Sequence, residues 1–407
     1  MRILVCSQKL SVGGAVVTAL DLATQLHHIG HEVHIFAEDG PLASIVADRG
    51  FPYHEAPALD APKRRWPSPS TARALRRVTK EVAPDVVHSY EWPACLDALV
   101  GPYLLDGVPL VASVMAMRVP RFMPRHVPLV VGTRVLHDEL HRQGYPQVSL
   151  VEPPVDVQAD RPDHPTSFRA DHGIPDGALV LAIISRLDSL KAESAHQAID
   201  AVEGLAARTD VRLVIAGDGS ASDDLAARAD AVNRRLGREV VVMVGMLADP
   251  RGAYAASDVI LGMGGSALRG LAFGKALVVL GTRGYAELFT PETSGEFLVQ
   301  GFWGLGAGRS SAEHLSEQLG CLVDDPARRA ELGQFGRRFV SERFGLEQAA
   351  ARLEPVLHDA IAQAPPGSRR RAEVVATMTR LSAVRAQDVA RRSARLVRGR
   401  SAPDAEL

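Results

Sequence analysis

RILVCSQKLSVGGAVVTALDLATQLHHIGHEVHIF, residues 2–36, reads as strand, glycine loop, helix and strand. RILVC is a short apolar run and SVGGA is the loop. Leu22, Leu26 and Ile29 then recur at i, i+4 and i+7, one face of a helix. Gly30 supplies the residue that ends that helix, and EVHIF resumes extended structure. PDVVHSY (84–90), VPLVASV (108–114) and VPLVVGT (127–133) are further short β-rich runs, each introduced by a proline. Strands that alternate with helices predict βαβ units and a parallel sheet.

Residues 152–178 carry five prolines and little apolar periodicity, and read as a crossing between domains. A second alternation follows: ALVLAIIS, a helix from about 191, RLVIAG, a helix from about 222, EVVVMVG, DVILG, a helix from about 266, and ALVVLG. The expectation is an α/β protein of two Rossmann-like domains, residues 1–160 and 161–345, facing each other across a cleft. A closing helix occupies 346–364 and a basic tail 365–407. Ligands of open α/β sheets sit beyond the carboxyl ends of the strands, so the strand-end loops are where chemistry is sought.

At 407 residues, with 46% hydrophobic and 23% charged residues, the chain has the balance of a soluble globular protein with more than one core. No apolar run suits a membrane span, and the N-terminus lacks the features of a secretory signal. The three cysteines, Cys6, Cys95 and Cys321, are far apart and read as buried, reduced thiols of a cytoplasmic protein. Net charge is −2, yet residues 368–407 hold ten Arg against four acids, leaving −8 on the rest. The body is thus no nucleic-acid binder. Two segments suggest peripheral contact with the anionic inner face of a membrane: residues 62–80, with Trp66 and several cations, and 368–400. In the second, Val374, Met378, Leu381 and Val384 form an apolar stripe. A solvated face is the competing reading of both.

Four glycine-bearing turns follow strands. Gly13 and Gly14 precede the first helix, where N–H groups and the helix dipole favour an anion. In SRLDSLK, Arg186 ends a strand and Lys191 lies near the next helix start. A bidentate fork and a point charge there suit a diphosphate. Gly217 in AGDGS is the third turn. In GMGGSALRG, Gly264 and Gly265 would admit a phosphate and Ser266 would cap the helix. No Asp-x-Asp triplet offers paired carboxylates to a divalent metal, and the pairs His31/His34 and His137/His141 lack a third ligand, so no metal site is expected. Tyr90, Glu91 and Trp92 end a strand in the first domain and are candidates to meet an acceptor.

Taken together, SVGGAVVTALDLATQLHHIGHEVHIF, PDVVHSYEW, PPVD, SRLDSLK, LVIAGDGS and FGKALVV…GYAE resemble the GT-B glycosyltransferases of family 4 over residues 2–360. That resemblance implies a retaining, metal-independent transfer from a nucleotide-diphosphate sugar, without a cofactor. The acceptor, a small molecule, glycan or lipid, would bind the first domain and the donor mainly the second. By similarity Gly14 approaches the donor phosphates, Arg186 and Lys191 hold the diphosphate, and Glu287 of GYAE lies on the donor side. The family's Glu-x7-Glu motif is missing: Arg269 stands at the second Glu, and the segment from Asp258 to Arg269 is several residues short. Met115 stands where a His is common near the donor sugar. A working enzyme in which Arg269 adds a third cation to the phosphate cradle is one reading. A non-catalytic partner in which Arg269 pairs with a nearby acid, or a sugar-nucleotide epimerase, are the others.

Overall fold

The computed structural model describes residues 1–58, 66–281, 284–305 and 312–397, and the chain divides into two compact units. The first comprises Met1–Gly132, Leu136–Val151 and the C-terminal segment from Arg352. Its sheet contains β1 (Arg2–Lys9), β2 (Glu32–Glu38), β3 (Tyr53–Glu55), β4 (Val86–Tyr90), β5 (Leu110–Val114), β6 (Leu129–Val131) and β7 (Val148–Leu150). They run in the order β3-β2-β1-β4-β5-β6-β7, and every pair is parallel. Helix Gly14–His28 crosses from β1 to β2 and is ended by Gly30 at φ +100°, whose N–H reaches the His27 carbonyl. The order reverses between β1 and β4. Gly13 and Glu91, which follow those strands, therefore lie at the switch point.

The second unit spans Thr133–Val135 and Glu152–Ala351. It contains β8 (Leu179–Ile184), β9 (Val211–Ala216), β10 (Val241–Gly245), β11 (Val259–Gly262), β12 (Ala276–Leu280) and β13 (Ala286–Leu288). The order is β10-β9-β8-β11-β12-β13, parallel except for β13 against β12. Too few residues separate β12 from β13 for a crossover, so they pair as a hairpin. β8, β11 and β12 are buried on both faces, which accounts for their uninterrupted apolar runs. Here the order reverses between β8 and β11, so the loops after those strands share the switch point.

The C-terminal segment, read from the sequence as a basic tail with an amphipathic stripe, is helical over its described residues and packs on the first unit. Helix Leu346–Ala362 leads back to the first unit, and helix Gly367–Val397 docks there. The stripe suggested for lipid is the docked face: Val374 and Leu381 are buried, and Met378 and Val384 pack against the same core as Tyr103 and Phe122. The buried Glu373 carboxylate accepts the Arg125 N–H at 2.7 Å and an Arg380 guanidinium N–H at 3.2 Å. Residues 62–65 of the first basic segment and 398–400 of the second lie outside the described residues. Among the described residues no helix is long and apolar enough to cross a membrane. Cys6 and Cys95 are buried as expected, but Cys321 is exposed.

Candidate active site

The two switch points concentrate the residues singled out in the sequence. In the second unit the loop after β8 carries Arg186 and Asp188, and Lys191 lies in the first turn of the helix that follows. Asp188 is the N-cap of helix Ser189–Leu205, though its side chain makes no capping bond. Arg186 is exposed, with Nη2 at 3.6 Å from Asp188 Oδ2. Lys191 is half-buried. Burial pulls its ammonium below the ordinary value, Asp188 opposes that and Arg186 adds to it. Two cations with one carboxylate between them leave an excess of positive charge, an arrangement that an anion would stabilise.

Gly217 has a packing task in the chain itself. Its φ is +146°, and a β-carbon there would overlap the Ser185 carbonyl; one at Gly219 would overlap the Leu187 carbonyl. The backbone of this turn instead holds the β8 loop, with the Leu187 N–H on the Asp218 carbonyl and the Ala221 N–H on that of Leu187, each at 2.9 Å. AGDGS therefore supports the loop that carries Arg186 and leads into the helix of Lys191, and its first glycine is needed for packing.

After β11, Gly264 is the N-cap of helix Gly265–Ala272 at φ +55°, ψ −130°, a conformation open to glycine alone. Its N–H donates to the Phe302 carbonyl at 2.7 Å. No side chain caps this helix, so Ser266, inside its first turn, does not have the capping role expected of it. A β-carbon on Gly265 would meet nothing within 4 Å. Among the described residues neither packing nor φ calls for glycine there. Glu287 sits half-buried on β13 opposite Val279.

Arg269 is already engaged. Its Nε donates to Asp160 Oδ2 at 2.8 Å, while Arg251 Nε donates to Oδ1 at 3.0 Å. Asp160 is fully buried, and Arg337 donates to its backbone carbonyl at 2.6 Å and to that of Val157 at 2.7 Å. The reading of Arg269 as a third free cation is thereby corrected: it shares a buried carboxylate with Arg251. More than a hundred residues separate Asp160 from Arg269, and no local pattern announced the pair.

In the first unit Gly13 is extended (φ −174°) and Gly14 opens the helix, which again has no side-chain cap; a β-carbon on either would meet nothing within 4 Å. Tyr90 is in the core at 1% exposure, so its ring is not an outward-facing acceptor contact. Glu91 has φ +64°, and its carboxylate accepts the N–H groups of Met115 at 2.8 Å and Ala116 at 3.2 Å. Burial pushes its carboxyl up, and those two bonds oppose the shift. Glu91 and Met115 are thus brought together, as a clamp on the loop after β5. Trp92 is half-buried, edge-on to Phe122 at 5.4 Å, with Arg385 of the C-terminal helix 5.8 Å above both rings. His137 and His141 approach to 3.2 Å between Nε2 atoms, and among the described residues no group of three or more metal-type side chains forms.

Two parallel-sheet α/β units with cationic and glycine loops at a switch point define the GT-B fold, and solved structures agree. A glycosyltransferase from Rickettsia africae superposes with a TM-score of 0.69 at 15% identity, over 88% of this chain and 98% of that one. Anabaena HepE in complex with UDP and glucose gives 0.67 at 16% identity, over 88% and 100%. Residues 12–159 match the model of Glycosyltransferase Family 4, and residues 178–324 that of Glycosyl transferases group 1. The chain belongs to the family 4-like GT-B glycosyltransferases. Among curated relatives, a GDP-mannose-dependent alpha-mannosyltransferase of Mycobacterium tuberculosis is 28% identical over 71% of this chain and 81% of its own length. A GDP-mannose-dependent monoacylated alpha-(1-6)-phosphatidylinositol monomannoside mannosyltransferase of Corynebacterium glutamicum is 30% identical over 48% and 51%.

Proposed function

We propose that this glycosyltransferase moves a hexosyl group from a nucleoside-diphosphate sugar to an acceptor hydroxyl, with retention and without metal or cofactor. GDP-mannose is the first donor to test, because both curated relatives are named for it. The observation that carries the reading is the pairing of the Arg186–Lys191 loop with the glycine-initiated, uncapped helix Gly265–Ala272 at one switch point. As the bond from the sugar C1 to the distal phosphate oxygen breaks, its electron pair goes to the diphosphate. Arg186, Lys191 and the helix N–H groups stabilise that growing charge. The acceptor oxygen bonds to C1, and its proton passes to the departing phosphate oxygen. By the family resemblance, Gly14 also approaches the phosphates and the acceptor is carried by the first unit.

The test is turnover of GDP-mannose, with UDP-glucose as comparison, and the anomeric configuration of the product read by NMR. Arg186→Ala and Lys191→Ala are each expected to lower kcat by about 10²–10³, the loss typical of one group that stabilises a developing oxyanion. Undiminished turnover in both would overturn the assignment, and loss of turnover in EDTA would overturn metal independence. A non-catalytic partner is the second reading, favoured by the neutralised Arg269 at the position of the family carboxylate. Nucleotide binding without turnover of any donor would support it.

Peripheral contact with anionic lipid, as a further part of the proposal, now rests on charge. Arg73, Arg77 and Lys80 recur at i, i+4 and i+7 on the exposed side of helix Pro69–Val82, close in sequence to exposed Trp66.

A further inference from the structure

Resting on the donor reading above, we infer that Trp303 is the surface on which the donor's hexose ring stacks. It lies in a stretch whose backbone is held in an expensive conformation. Gly301, Phe302 and Gly304 all have positive φ, at +65°, +61° and +57°. For phenylalanine that is a strained state which the surroundings must enforce. The enforcement is visible. The Phe302 ring is fully buried among Phe289, Phe297, Phe339 and Phe344, and the Leu305 N–H closes the loop onto Gln300 Oε1 at 2.7 Å. The Phe302 carbonyl takes the N–H of Gly264 at 2.7 Å, so the loop is tied directly to the phosphate turn.

What this strain presents is an indole. The Trp303 ring lies 3.6–3.8 Å from the β-carbon position of Gly264, and the side chain stays half-buried rather than joining the core. Gly264 is the residue next to the N–H groups assigned to the phosphate. A hexose is esterified directly to the distal phosphate. A nucleobase is held off from the proximal one by the whole ribose. A ring in contact with the N-cap residue itself is therefore placed for the hexose. Its π-face suits the C–H face of a pyranose, as aromatic faces suit other apolar, weakly positive edges.

The experiment compares Trp303→Ala and Trp303→Phe with the unaltered chain by calorimetric binding of two probe pairs, GDP with GDP-mannose and UDP with UDP-glucose. Trp303→Ala is expected to leave the free diphosphate within about twofold and to weaken the matching sugar nucleotide about tenfold, a loss on the scale of one aromatic contact. Trp303→Phe should recover part of it. Retained diphosphate binding also reports that the variants are folded. Equal weakening of diphosphate and sugar nucleotide, or no weakening of either, would overturn the assignment of Trp303. An unaltered chain that binds no member of either pair would instead remove the donor reading, and this inference with it.

Discussion

The buried carboxylate of Asp160 makes a quantitative prediction about position 269, where the family resemblance implies a glutamate. Restoring the family's acid by Arg269→Glu should fail, because position 269 faces Asp160. Arg269→Met removes one charged hydrogen bond but leaves Asp160 paired with Arg251, a loss of about 2 kcal/mol. Arg269→Glu adds repulsion. Two carboxylates about 4 Å apart at an effective dielectric constant of about 20 repel by about 4 kcal/mol. Protonating the new Glu at pH 7 instead costs, from its ordinary pKa of about 4.3, close to the same ~4 kcal/mol. The second unit is of a size for which about 1 kcal/mol moves Tm by about 2–4 °C. The Met variant should therefore lose about 4–8 °C and the Glu variant about 8–16 °C more. Thermal unfolding of the full chain, followed by circular dichroism, reads both. Because the repulsion raises the folded-state pKa, the gap between the two variants should narrow as pH falls from 7 towards 5. Asp160→Asn should rescue Arg269→Glu in a double-mutant cycle, with coupling of a few kcal/mol. Equal melting of the Met and Glu variants at pH 7, with no rescue, would refute the buried ion pair as the reason for arginine here.

Other outcomes follow from the same geometry. Gly217→Ala should be strongly destabilising, since its β-carbon would overlap the Ser185 carbonyl, whereas Gly14→Ala should melt like the parent and be detected only as weakened nucleotide-sugar binding. Leu381→Ala, at a fully buried position, should cost about 2–5 kcal/mol in chemical denaturation of the first unit. Burial lowers His88 to about 3 from its ordinary 6.5, so the unfolded chain binds more protons between those values. Stability should be complete above pH 6.5 and fall on acidification towards pH 3, by up to about 1.4 kcal/mol per pH unit, and His88→Gln should flatten that profile. Charge reversal at Arg73, Arg77 and Lys80 together should release the protein from vesicles of anionic phospholipid in a sedimentation assay, and unchanged binding would count against a lipid-facing role for that helix.

Much of the fold was legible because parallel strands buried on both faces write themselves as apolar runs, as in LVLAII and ALVVL. The short edge strands β3, β7 and β13 carry three residues each and gave no such signal. The cations and glycines of the switch points were also legible, since strand-end loops are local. What the sequence hid was the division of labour. Gly217 and Gly265 look alike as letters, yet one is demanded by a neighbouring carbonyl and the other by nothing among the described residues. The amphipathic stripe of Val374, Met378, Leu381 and Val384 was plain, but a stripe does not say whether lipid or protein covers it. Asp160 with Arg269, and Trp303 with Gly264, are products of tertiary packing alone.

The docked C-terminal helix also has a consequence for how the protein is made. The strands of the first unit leave the ribosome early, but Val374 and Leu381, which complete their core, follow only after the whole second unit. At about 5–20 residues per second, the groove beside Tyr103 and Phe122 stays uncovered for roughly ten to forty seconds of synthesis. The second unit must therefore fold as an insertion within a partner that is still unfinished. During that interval the nascent chain exposes an apolar surface which only its own later residues are shaped to fill, and this is when a holdase would have most to protect.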